Sequence, residues 1–334
     1  MEVVAVKAST DYKVMIDKGI IHSLEEHLPC KNDYKCLLLM DENVNRLYGE
    51  KIMDILRRSG RVVWTYIIPA AESSKSFGIL EDLLEFMAEK AFTRSDFLLA
   101  FGGGVTGDLG GFAAAIYQRG IDYVQIPTTL LSAVDSSVGG KTAINLRAGK
   151  NLVGAFKQPA LVLCDPELFE TLTEDDFASG VSEIIKYSIL FDQDLFERLA
   201  SPLKKESDDL EEVIKKCVAL KAAVVLEDEL DHGRRQLLNL GHTIGHGIEK
   251  ASGFSIKHGH AVAMGMGIMA RACAAKGLCN PDTAKDIERI LKANSLPVNT
   301  EYSPEELLEY AKMDKKTRGE KISIIVMVRV SKVN

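Results

Sequence analysis

The sequence predicts an α/β N-terminal domain with a mostly parallel sheet, followed by a mainly α-helical C-terminal domain. Two observations support the first domain. Short apolar runs alternate with helix-period stretches, as in βαβ units, and one of these runs leads into a glycine turn typical of a dinucleotide site. The second domain is predicted because nearly all of residues 173–312 has helical length and period.

The strands are predicted, in chain order, from apolar runs bounded by turn signals. They fall at residues 3–6, 12–16, 36–40, 62–68, 97–101, 123–126 and 161–164, with a last strand-like run at 322–330. Helices are predicted at 43–59 and 77–90 from their period. The pattern changes after residue 164. We therefore expect two domains, 1–165 and 166–334, that pack around a ligand cleft.

Composition narrows the classes of function. The chain has 334 residues and a net charge of −7, which argues against a nucleic-acid partner. Its six cysteines form no C-x-x-C pair, and the apolar run 261–275 is too short for a membrane span and contains Arg271. The first residues lack the features of a signal peptide. We therefore expect a cytoplasmic protein with neither a nucleic-acid nor a membrane partner.

The stretch 97–108, FLLAFGGGVTGD, predicts a buried strand, a glycine turn and the start of a helix. In that setting the helix N–H groups face a dinucleotide pyrophosphate. The spacing departs from G-x-G-x-x-G, so a glycine-rich packing turn is the alternative. Asp41 ends the run 36–40, where an acidic residue either accepts a hydrogen bond from a ribose hydroxyl or caps the next helix.

The stretch 134–142, VDSSVGGKT, is similar to the end of a P-loop but is not one. A P-loop has glycine six residues before its lysine, and here that residue is Asp135, whose carboxylate would repel a phosphate. Lys141 and Lys150 nevertheless follow this aspartate closely. Two cations so placed indicate a site for an anion other than a P-loop nucleotide.

A polar stripe is predicted in residues 234–248, RRQLLNLGHTIGHGI. Arg235, Asn239, His242 and His246 are spaced at i, i+4, i+7 and i+11, which places them on one face of a single helix. A solvated face is the alternative, although such faces are usually rich in Glu and Lys. Two histidines at i and i+4 suit a metal, but Thr243 stands where a zinc peptidase needs glutamate.

Further candidate metal ligands lie on both sides of this stretch. Five of the seven histidines fall between residues 232 and 260, among them His258 and His260 at the predicted start of the next helix. Glu183 precedes Lys186 by three residues, on the same helical face. A mixed set of histidine and glutamate with one open position is typical of catalytic zinc. The residues alone leave open which of these side chains bind.

Several longer motifs point to one family. They are GGGVTGD at 102–108, YQRG at 117–120, PTTLLS at 127–132, DSSVGGKTAIN at 135–145, GKNLVG at 149–154, SEIIKY at 182–187, LNLGHTIGH at 238–246 and HGHAV at 258–262. In this order they resemble the 3-dehydroquinate synthase family of sugar-phosphate cyclases over nearly the whole chain.

The resemblance implies an enzyme of the shikimate pathway, in aromatic amino-acid and chorismate biosynthesis. Its substrate would be a sugar-acid phosphate, 3-deoxy-D-arabino-heptulosonate 7-phosphate (DAHP), and its products 3-dehydroquinate and phosphate. The implied steps are transient oxidation by NAD, β-elimination of phosphate, re-reduction and intramolecular aldol closure. It also implies a carbon–oxygen lyase and homodimer that uses NAD and Zn²⁺, with Co²⁺ as an alternative metal. Residues 1–165 would bind NAD, and residues 166–334 would bind metal and substrate.

The resemblance further implies roles for individual residues, with Glu183, His242 and His258 matching the metal ligands. Residues that match the phosphate contacts are Lys141, Asn151, His246 and Arg119, of which Arg119 would come from a second subunit. Residues that match positions near the reacting hydroxyls are Asp135, Lys150 and Lys186. Lys221 and Arg235 match the carboxylate site, with Asn239 beside them. The NAD pocket is matched by Asp41, Glu72, Lys75, Gly104, Val105, Asp108, Thr128, Thr129, Lys141, Lys150 and Thr171.

The sequence departs from the family pattern at three places. PAAESSK at 69–75 has Ala71 where the family has glycine, and HGHAV has His260 where the family has glutamate. DELDHGRR at 228–235 has Asp231, which is shorter than the glutamate that the family pattern leads one to expect. The alternatives are another sugar-phosphate cyclase, an NAD- and metal-dependent polyol dehydrogenase, and a binding protein without activity. Lys221 and Arg235 favour dehydroquinate synthesis, because such a pair suits the carboxylate of a sugar acid.

Overall fold

The computed structural model describes residues 1–28, 34–315, 324–330 and 332–333. The chain divides into two compact units. The first comprises Met1–Thr171 with Ile214–Leu230, and the second comprises Leu172–Val213 with Asp231–Asn334. Cys30 lies outside the described residues. None of the helices in the described ranges combines the length and hydropathy that a bilayer crossing requires.

The described residues contain eleven strands, numbered here in chain order. They are β1 (Glu2–Val6), β2 (Tyr12–Ile16), β3 (Cys36–Asp41), β4 (Val63–Ile68), β5 (Phe97–Gly102), β6 (Asp122–Pro127), β7 (Lys141–Leu146), β8 (Gly149–Phe156), β9 (Leu161–Cys164), β10 (Met327–Arg329) and β11 (Lys332–Val333). The seven strands predicted before residue 165 are all confirmed. Of the run predicted at 322–330, residues 322 and 323 lie outside the described residues, and β10 pairs with β11.

The sheet is parallel except at one edge. Its order is β1-β2-β9-β6-β5-β3-β4, with only β1 and β2 antiparallel. Strands β3 and β5 are apolar and almost wholly buried, as expected at the centre of a parallel sheet. The chain leaves β3 toward β4 on one side and β5 toward β6 on the other. The strand order therefore reverses between β3 and β5, and the carboxyl ends of strands at such a point are where parallel sheets bind ligands.

The α-helices are concentrated in the second half, as predicted. They are α1 (Leu24–His27), α2 (Glu42–Val44), α3 (Glu50–Arg58), α4 (Phe77–Glu89), α5 (Gly104–Ile116), α6 (Glu174–Phe191), α7 (Gln193–Arg198), α8 (Leu210–Glu227), α9 (His242–Ala251), α10 (His258–Ala275), α11 (Pro281–Ala293) and α12 (Pro304–Lys315). A π-helical turn, Asn45–Gly49, joins α2 to α3. Thr173 caps the N-terminus of α6, because its side chain accepts a hydrogen bond from the Asp176 N–H.

Strands β7 and β8 form an antiparallel hairpin that the sequence did not predict. Thr142 and Ile144 are buried, whereas Lys141, the first residue of β7, is exposed. Gly140 has φ +66° at the turn into β7, a conformation that favours glycine. Because alternate residues face outward, the hairpin has no continuous apolar run by which a strand is usually recognised.

The single helix predicted across residues 234–248 is wrong. Arg234–Asn239 is a short 3₁₀ helix, and α9 begins only at His242. Between them Gly241 has φ +77°, a left-handed conformation that interrupts a helix. A side chain at Gly241 would also lie 2.8 Å from a carbonyl oxygen of α10. Arg235 and Asn239 therefore lie outside the helix that carries the two histidines.

Candidate active site

The residues predicted for NAD lie in the first unit, at one edge of the sheet. The carboxyl ends of parallel strands meet at the same edge, so loops that follow those strands are neighbours. Asp41 ends β3; Glu72 and Lys75 follow β4; Gly104, Val105 and Asp108 belong to α5, directly after β5; Thr128 and Thr129 follow β6; and Thr171 comes after β9. The structure thus brings these residues to a common edge.

The glycine turn after β5 packs closely against neighbouring side chains, so that even an added methyl group would crowd them. A Cβ atom at Gly103 would lie 3.3 Å from the Thr129 methyl group, and one at Gly104 would lie 3.3 Å from Ser136 Oγ. The first N–H groups of α5 point outward from this turn, because the N-terminal amides of a helix have no partner within it. A turn without side chains, followed by a helix N-terminus, fits a dinucleotide pyrophosphate.

Asp41 caps the helix that follows β3. Its Oδ1 atom accepts hydrogen bonds from the N–H of Asn43 at 2.9 Å and of Val44 at 3.0 Å. The capping interpretation is confirmed. Both hydrogen bonds use one carboxylate oxygen, so a ribose hydroxyl would have to bind Oδ2, and that role stays a prediction. Thr171 Oγ1 lies 2.9 Å from the hydroxyl of Tyr48.

Lys75 connects residues predicted for NAD with one predicted for phosphate. Its Nζ donates to Asp108 Oδ2 and to Asn151 Oδ1, each at 2.5 Å, and its side chain is 5% exposed. Burial raises the pKa of the Asp108 carboxyl above its ordinary value, and the attraction of Lys75 offsets only part of this. Asn151 has φ +55°, in the left-handed region that asparagine tolerates better than most residues.

Asp108→Asn is expected to flatten the dependence of stability on pH. Because burial raises the folded-state pKa of Asp108, the folded chain keeps a proton there that the unfolded chain has released just above the ordinary aspartate pKa. The free energy of unfolding therefore falls as pH rises through this window, by at most about 1.4 kcal/mol per pH unit. Urea unfolding of both proteins, in a pH series from about 4 upward, measures it; parallel curves would contradict the expectation.

Asp135 and Lys221 form a second ion pair in the first unit, with Lys221 buried and Asp135 partly exposed. Lys221 Nζ donates to Asp135 Oδ1 at 2.7 Å and to the Asp135 carbonyl oxygen at 2.6 Å. Lys141 begins β7, and Lys150 lies in β8. The two lysines suggested by the sequence are therefore placed on the two strands of one hairpin, and not in a phosphate-binding loop that precedes a helix.

Glu183, His242 and His258 converge in the second unit. One candidate ligand atom of each lies within 4.8 Å of the others. The Nε2 atoms of His242 and His258 are 3.6 and 3.7 Å from Glu183 Oε1. Tetrahedral ligands about 2.1 Å from zinc are about 3.4 Å apart, so the spacing fits. Glu183 is fully buried, and no described residue donates a hydrogen bond to Oε1. Since such an atom needs a partner, a divalent cation fits.

The second nitrogen of each imidazole fixes its tautomer. His242 Nδ1 lies 3.1 Å from the carbonyl oxygen of Leu240, which can only accept a hydrogen bond. His258 Nδ1 lies 3.2 Å from Glu249 Oε2, which is buried. Both rings therefore carry the proton on Nδ1 and turn the lone pair of Nε2 toward Glu183, the arrangement that metal-binding histidines usually have.

Lys186 and His246 complete this cluster. The buried ammonium of Lys186 forms an ion pair with Glu183 Oε2. Burial first, and then the charge of Lys186, hold the pKa of His242 well below its ordinary value, so that imidazole is in the neutral form that binds metals. The ring of His246 is centred 5.7 Å from that of His242 and 6.0 Å from that of His258.

A second group of candidate ligands shares one residue with the first. His246, Glu249 and His258 also have one ligand atom each within 4.8 Å of one another. In this group Glu249 already accepts a hydrogen bond from His258, whereas Glu183 Oε1 accepts none from the described residues. The first group is therefore the better cation site.

Glycines allow the three helices to approach closely enough to form the cluster. A Cβ atom at Gly259, in α10, would lie 2.1 Å from the carbonyl oxygen of Ser179 in α6. The Gly259 N–H donates to Ser179 Oγ at 3.0 Å. A Cβ atom at Gly245, in α9, would lie 3.1 Å from the backbone nitrogen of Val262 in α10. The helices touch through backbone, which sets the separation of Glu183 from the histidines.

The remaining predicted residues have different surroundings. Arg235 is buried, whereas Asn239 is exposed. Arg119 is exposed and has φ +67°, between Gln118 at φ +51° and Gly120 at φ +123°. Successive left-handed residues are costly and are found mostly at functional sites.

The sequence reasoning missed two site residues. One is Glu249, and the other is Asn145, whose Oδ1 accepts a hydrogen bond from the Asn151 N–H at 2.8 Å. Glu249 was detectable, because a glutamate three residues after His246 lies on the same side of the helix. Asn145 was not, since its contacts depend on an unpredicted hairpin.

Comparisons with known proteins agree on one family. A family model described as 3-dehydroquinate synthase N-terminal matches residues 65–179, and one described as 3-dehydroquinate synthase C-terminal matches residues 180–317. A 3-dehydroquinate synthase of Alkaliphilus metalliredigens (strain QYMF) is 43% identical over 94% of this chain and 89% of its own.

Solved structures support the same fold. The 2-epi-5-epi-valiolone synthase ValA of Streptomyces hygroscopicus subsp. jinggangensis 5008, with NAD⁺ and Zn²⁺ bound, has a TM-score of 0.90 at 26% identity, covering 100% of this chain and 94% of its own. A 2-deoxy-scyllo-inosose synthase has a TM-score of 0.89 at 24% identity with the same coverage. The predicted fold class is confirmed.

Proposed function

We propose that this chain, which belongs to the 3-dehydroquinate synthase family, converts DAHP into 3-dehydroquinate and phosphate as a carbon–oxygen lyase. The observation that carries the proposal is the convergence of Glu183, His242 and His258 in a chain 43% identical to a 3-dehydroquinate synthase. The assignment of NAD to residues 1–165, and of metal and substrate to residues 166–334, is part of the proposal.

NAD would bind at the turn between β5 and α5, and a divalent metal, Zn²⁺ or Co²⁺, would be held by Glu183, His242 and His258. When bound, NAD accepts and returns a hydride, and the metal polarises the oxygen on the oxidised carbon. The NAD⁺ and Zn²⁺ in the structure of the 26% identical relative support this pair of cofactors. So does the buried Glu183 Oε1, which accepts no hydrogen bond from the described residues.

The chain's own residues bind and orient the substrate. Donors on Lys141, Asn151 and His246, with Arg119 from a second copy, would surround the phosphate and stabilise the charge that it gains on leaving. Lys221 and Arg235 would hold the carboxylate. Asp135, Lys150 and Lys186 would position the reacting hydroxyls and move their protons, and Asn239 would lie beside them. Such fixed donors lower a barrier because they need no reorganisation during the reaction.

A homodimer follows from the proposed role of Arg119. Its side chain is exposed and makes no hydrogen bond to the described residues of its own chain, so it is available to another copy. The cytoplasmic location, predicted from reduced cysteines, stays a prediction. The five described cysteines are buried and form no disulfide with one another.

The alternative cyclases are less well supported. The valiolone and inosose synthases are 26% and 24% identical to this chain, compared with 43% for the dehydroquinate synthase. A polyol dehydrogenase would have no use for the cations that the hairpin presents.

The direct test is release of phosphate from DAHP by the purified protein with NAD and Zn²⁺. We expect release that requires both NAD and metal, with no accumulation of NADH, because the hydride is returned within each turnover. A chelator-treated sample is the control. Release only from another sugar phosphate would assign the chain to a different cyclase, and steady formation of NADH would indicate a dehydrogenase.

Lys141→Ala is expected to reduce kcat/KM for DAHP by roughly a hundredfold, because a cation would be missing beside the departing phosphate. Binding of NAD and metal should be unchanged, as measured by titration and metal analysis. Arg147→Ala is the matched control, since Arg147 is an exposed cation in the turn of the same hairpin. Equal activity of the two variants would remove Lys141 from the phosphate site.

A further inference from the structure

Asn145 lies opposite an irregularity in the hairpin. Between two paired positions, β7 contributes only Asn145, whereas β8 contributes the three residues 150–152. A β-bulge of this kind redirects side chains and is common beside active sites. Here the bulge carries Lys150 and Asn151, two of the residues assigned to the substrate. The interactions that stabilise the bulge therefore also set the direction of these two side chains.

Three polar groups of Asn145 make hydrogen bonds to two separate segments. Its backbone N–H donates to the Lys75 carbonyl oxygen at 2.8 Å. Its side-chain Nδ2 donates to Glu72 Oε1 at 2.8 Å. Its Oδ1 accepts from the backbone N–H of Asn151 at 2.8 Å. One residue therefore joins residues 72–75, assigned to NAD, to the bulge, assigned to the phosphate.

The conformation that Asn145 supports is costly without it. Asn151 has φ +55°, and a non-glycine residue is held in the left-handed region only where its surroundings impose it. The two contacts that impose it are the hydrogen bond to Asn145 Oδ1 and the one from Lys75 Nζ. Lys75 is itself held through its carbonyl oxygen by Asn145, so both contacts depend on the same residue.

We propose that Asn145 is a positioning residue that fixes residues 72–75 and the β8 bulge relative to each other, and so sets the affinity of the chain for both NAD and the phosphate group. The identity of the two ligands rests on the proposed function; the positioning itself rests on the hydrogen bonds. Asn145 touches neither ligand in this assignment and acts through Glu72, Lys75 and Asn151.

Two substitutions of Asn145 distinguish the contact of its side chain with Glu72 from the contact with Asn151. Asn145→Asp keeps the acceptor for Asn151 but loses the donor to Glu72 and sets two carboxylates against each other. We expect the Kd for NAD to rise roughly tenfold or more, with a smaller change in the Kd for inorganic phosphate. Asn145→Ala loses both contacts, so both Kd values should rise. Calorimetric titration of the zinc-loaded protein measures both without depending on turnover.

Exchanging donor and acceptor tests the contact with Glu72 directly. In Asn145→Asp combined with Glu72→Gln, the new amide can donate to the new carboxylate. Because Glu72 is itself assigned to NAD, Glu72→Gln alone is measured as well, and the double variant should lose less NAD affinity than the two single variants combined. Asn280→Asp is the matched control, because Asn280 is an exposed helix cap whose Oδ1 acceptor aspartate retains, and it should bind both ligands normally.

Three results would overturn the inference. They are wild-type affinities in Asn145→Ala, a loss of NAD affinity in the double variant equal to the losses of the two single variants combined, and losses of both affinities that merely follow a loss of thermal stability. The test is independent of the proposed reaction. A wild-type protein that binds NAD but does not release phosphate from DAHP would refute the function, while weaker NAD binding by Asn145→Asp would still support the positioning role.

Discussion

Glu183→Gln is expected to lose the bound metal and to destabilise the second unit. An amide is a weaker ligand than a carboxylate, so the Kd for Zn²⁺ should rise by roughly a hundredfold or more. The fully buried ammonium of Lys186 loses its carboxylate partner, and breaking a buried ion pair on one side costs about 3–5 kcal/mol. Metal content after gel filtration measures the first effect, and urea unfolding of the metal-free protein measures the second.

A glutamate on the same helix provides the control. Glu174 is 86% exposed in its ion pair with Lys205, so Glu174→Gln should change stability by no more than about 1 kcal/mol and leave metal content unaltered. Full occupancy in Glu183→Gln would instead place the metal at the second group, formed by His246, Glu249 and His258.

Gly259→Ala is expected to separate two helices and thereby weaken the metal site without changing a ligand. The added methyl carbon would lie 2.1 Å from the Ser179 carbonyl oxygen and 2.5 Å from its Cα. Backbone atoms cannot rotate away, so α10 must shift from α6, and overpacking of this kind costs about 1–3 kcal/mol. The shift moves His258, the first residue of α10, relative to Glu183. Chelator competition should show weaker zinc binding, and urea unfolding a lower stability.

A Gly→Ala substitution at a position with free space around it distinguishes the effect of the clash from the effect of alanine's higher helix propensity. Gly78, in α4, has no atom within 4 Å of an added Cβ. Gly78→Ala should therefore be neutral or stabilising by no more than about 1 kcal/mol. If Gly259→Ala binds zinc as tightly as Gly78→Ala does, contact between α6 and α10 does not set the geometry of the metal site.

The parallel sheet could be predicted because its central strands are short, apolar and almost wholly buried. In β3 and β5 nearly every side chain meets the core, so hydrophobicity alone marks them. The β7–β8 hairpin could not be predicted in this way. Half of its side chains face outward. Several of these, such as Lys141 and Asn151, are charged or hydrogen-bonding residues, so the hydrophobic pattern that marks a strand is interrupted.

The break before α9 was missed for a different reason. A glycine inside a helical pattern is usually tolerated, so Gly241 gave no decisive signal. The left-handed turn is required by α10, whose backbone leaves no space for a side chain at that position. Local spacing also suggested His242 and His246 as a pair of ligands. Glu183 and His258 come from other helices, and only the motif resemblance, before the structure, placed them with His242.

Helices α6, α9 and α10 meet through backbone atoms at Gly245 and Gly259. No rotamer change can widen or narrow these gaps, because peptide groups and not side chains form the contact. The spacing of Glu183, His242 and His258 is therefore fixed when the second unit folds, before any cation arrives. A cation held by these three residues, as proposed, would meet ligands whose backbone positions are already set, and only side-chain torsions could adapt to its size. On this proposal, selectivity among divalent cations would be determined in part by glycines that never touch the metal.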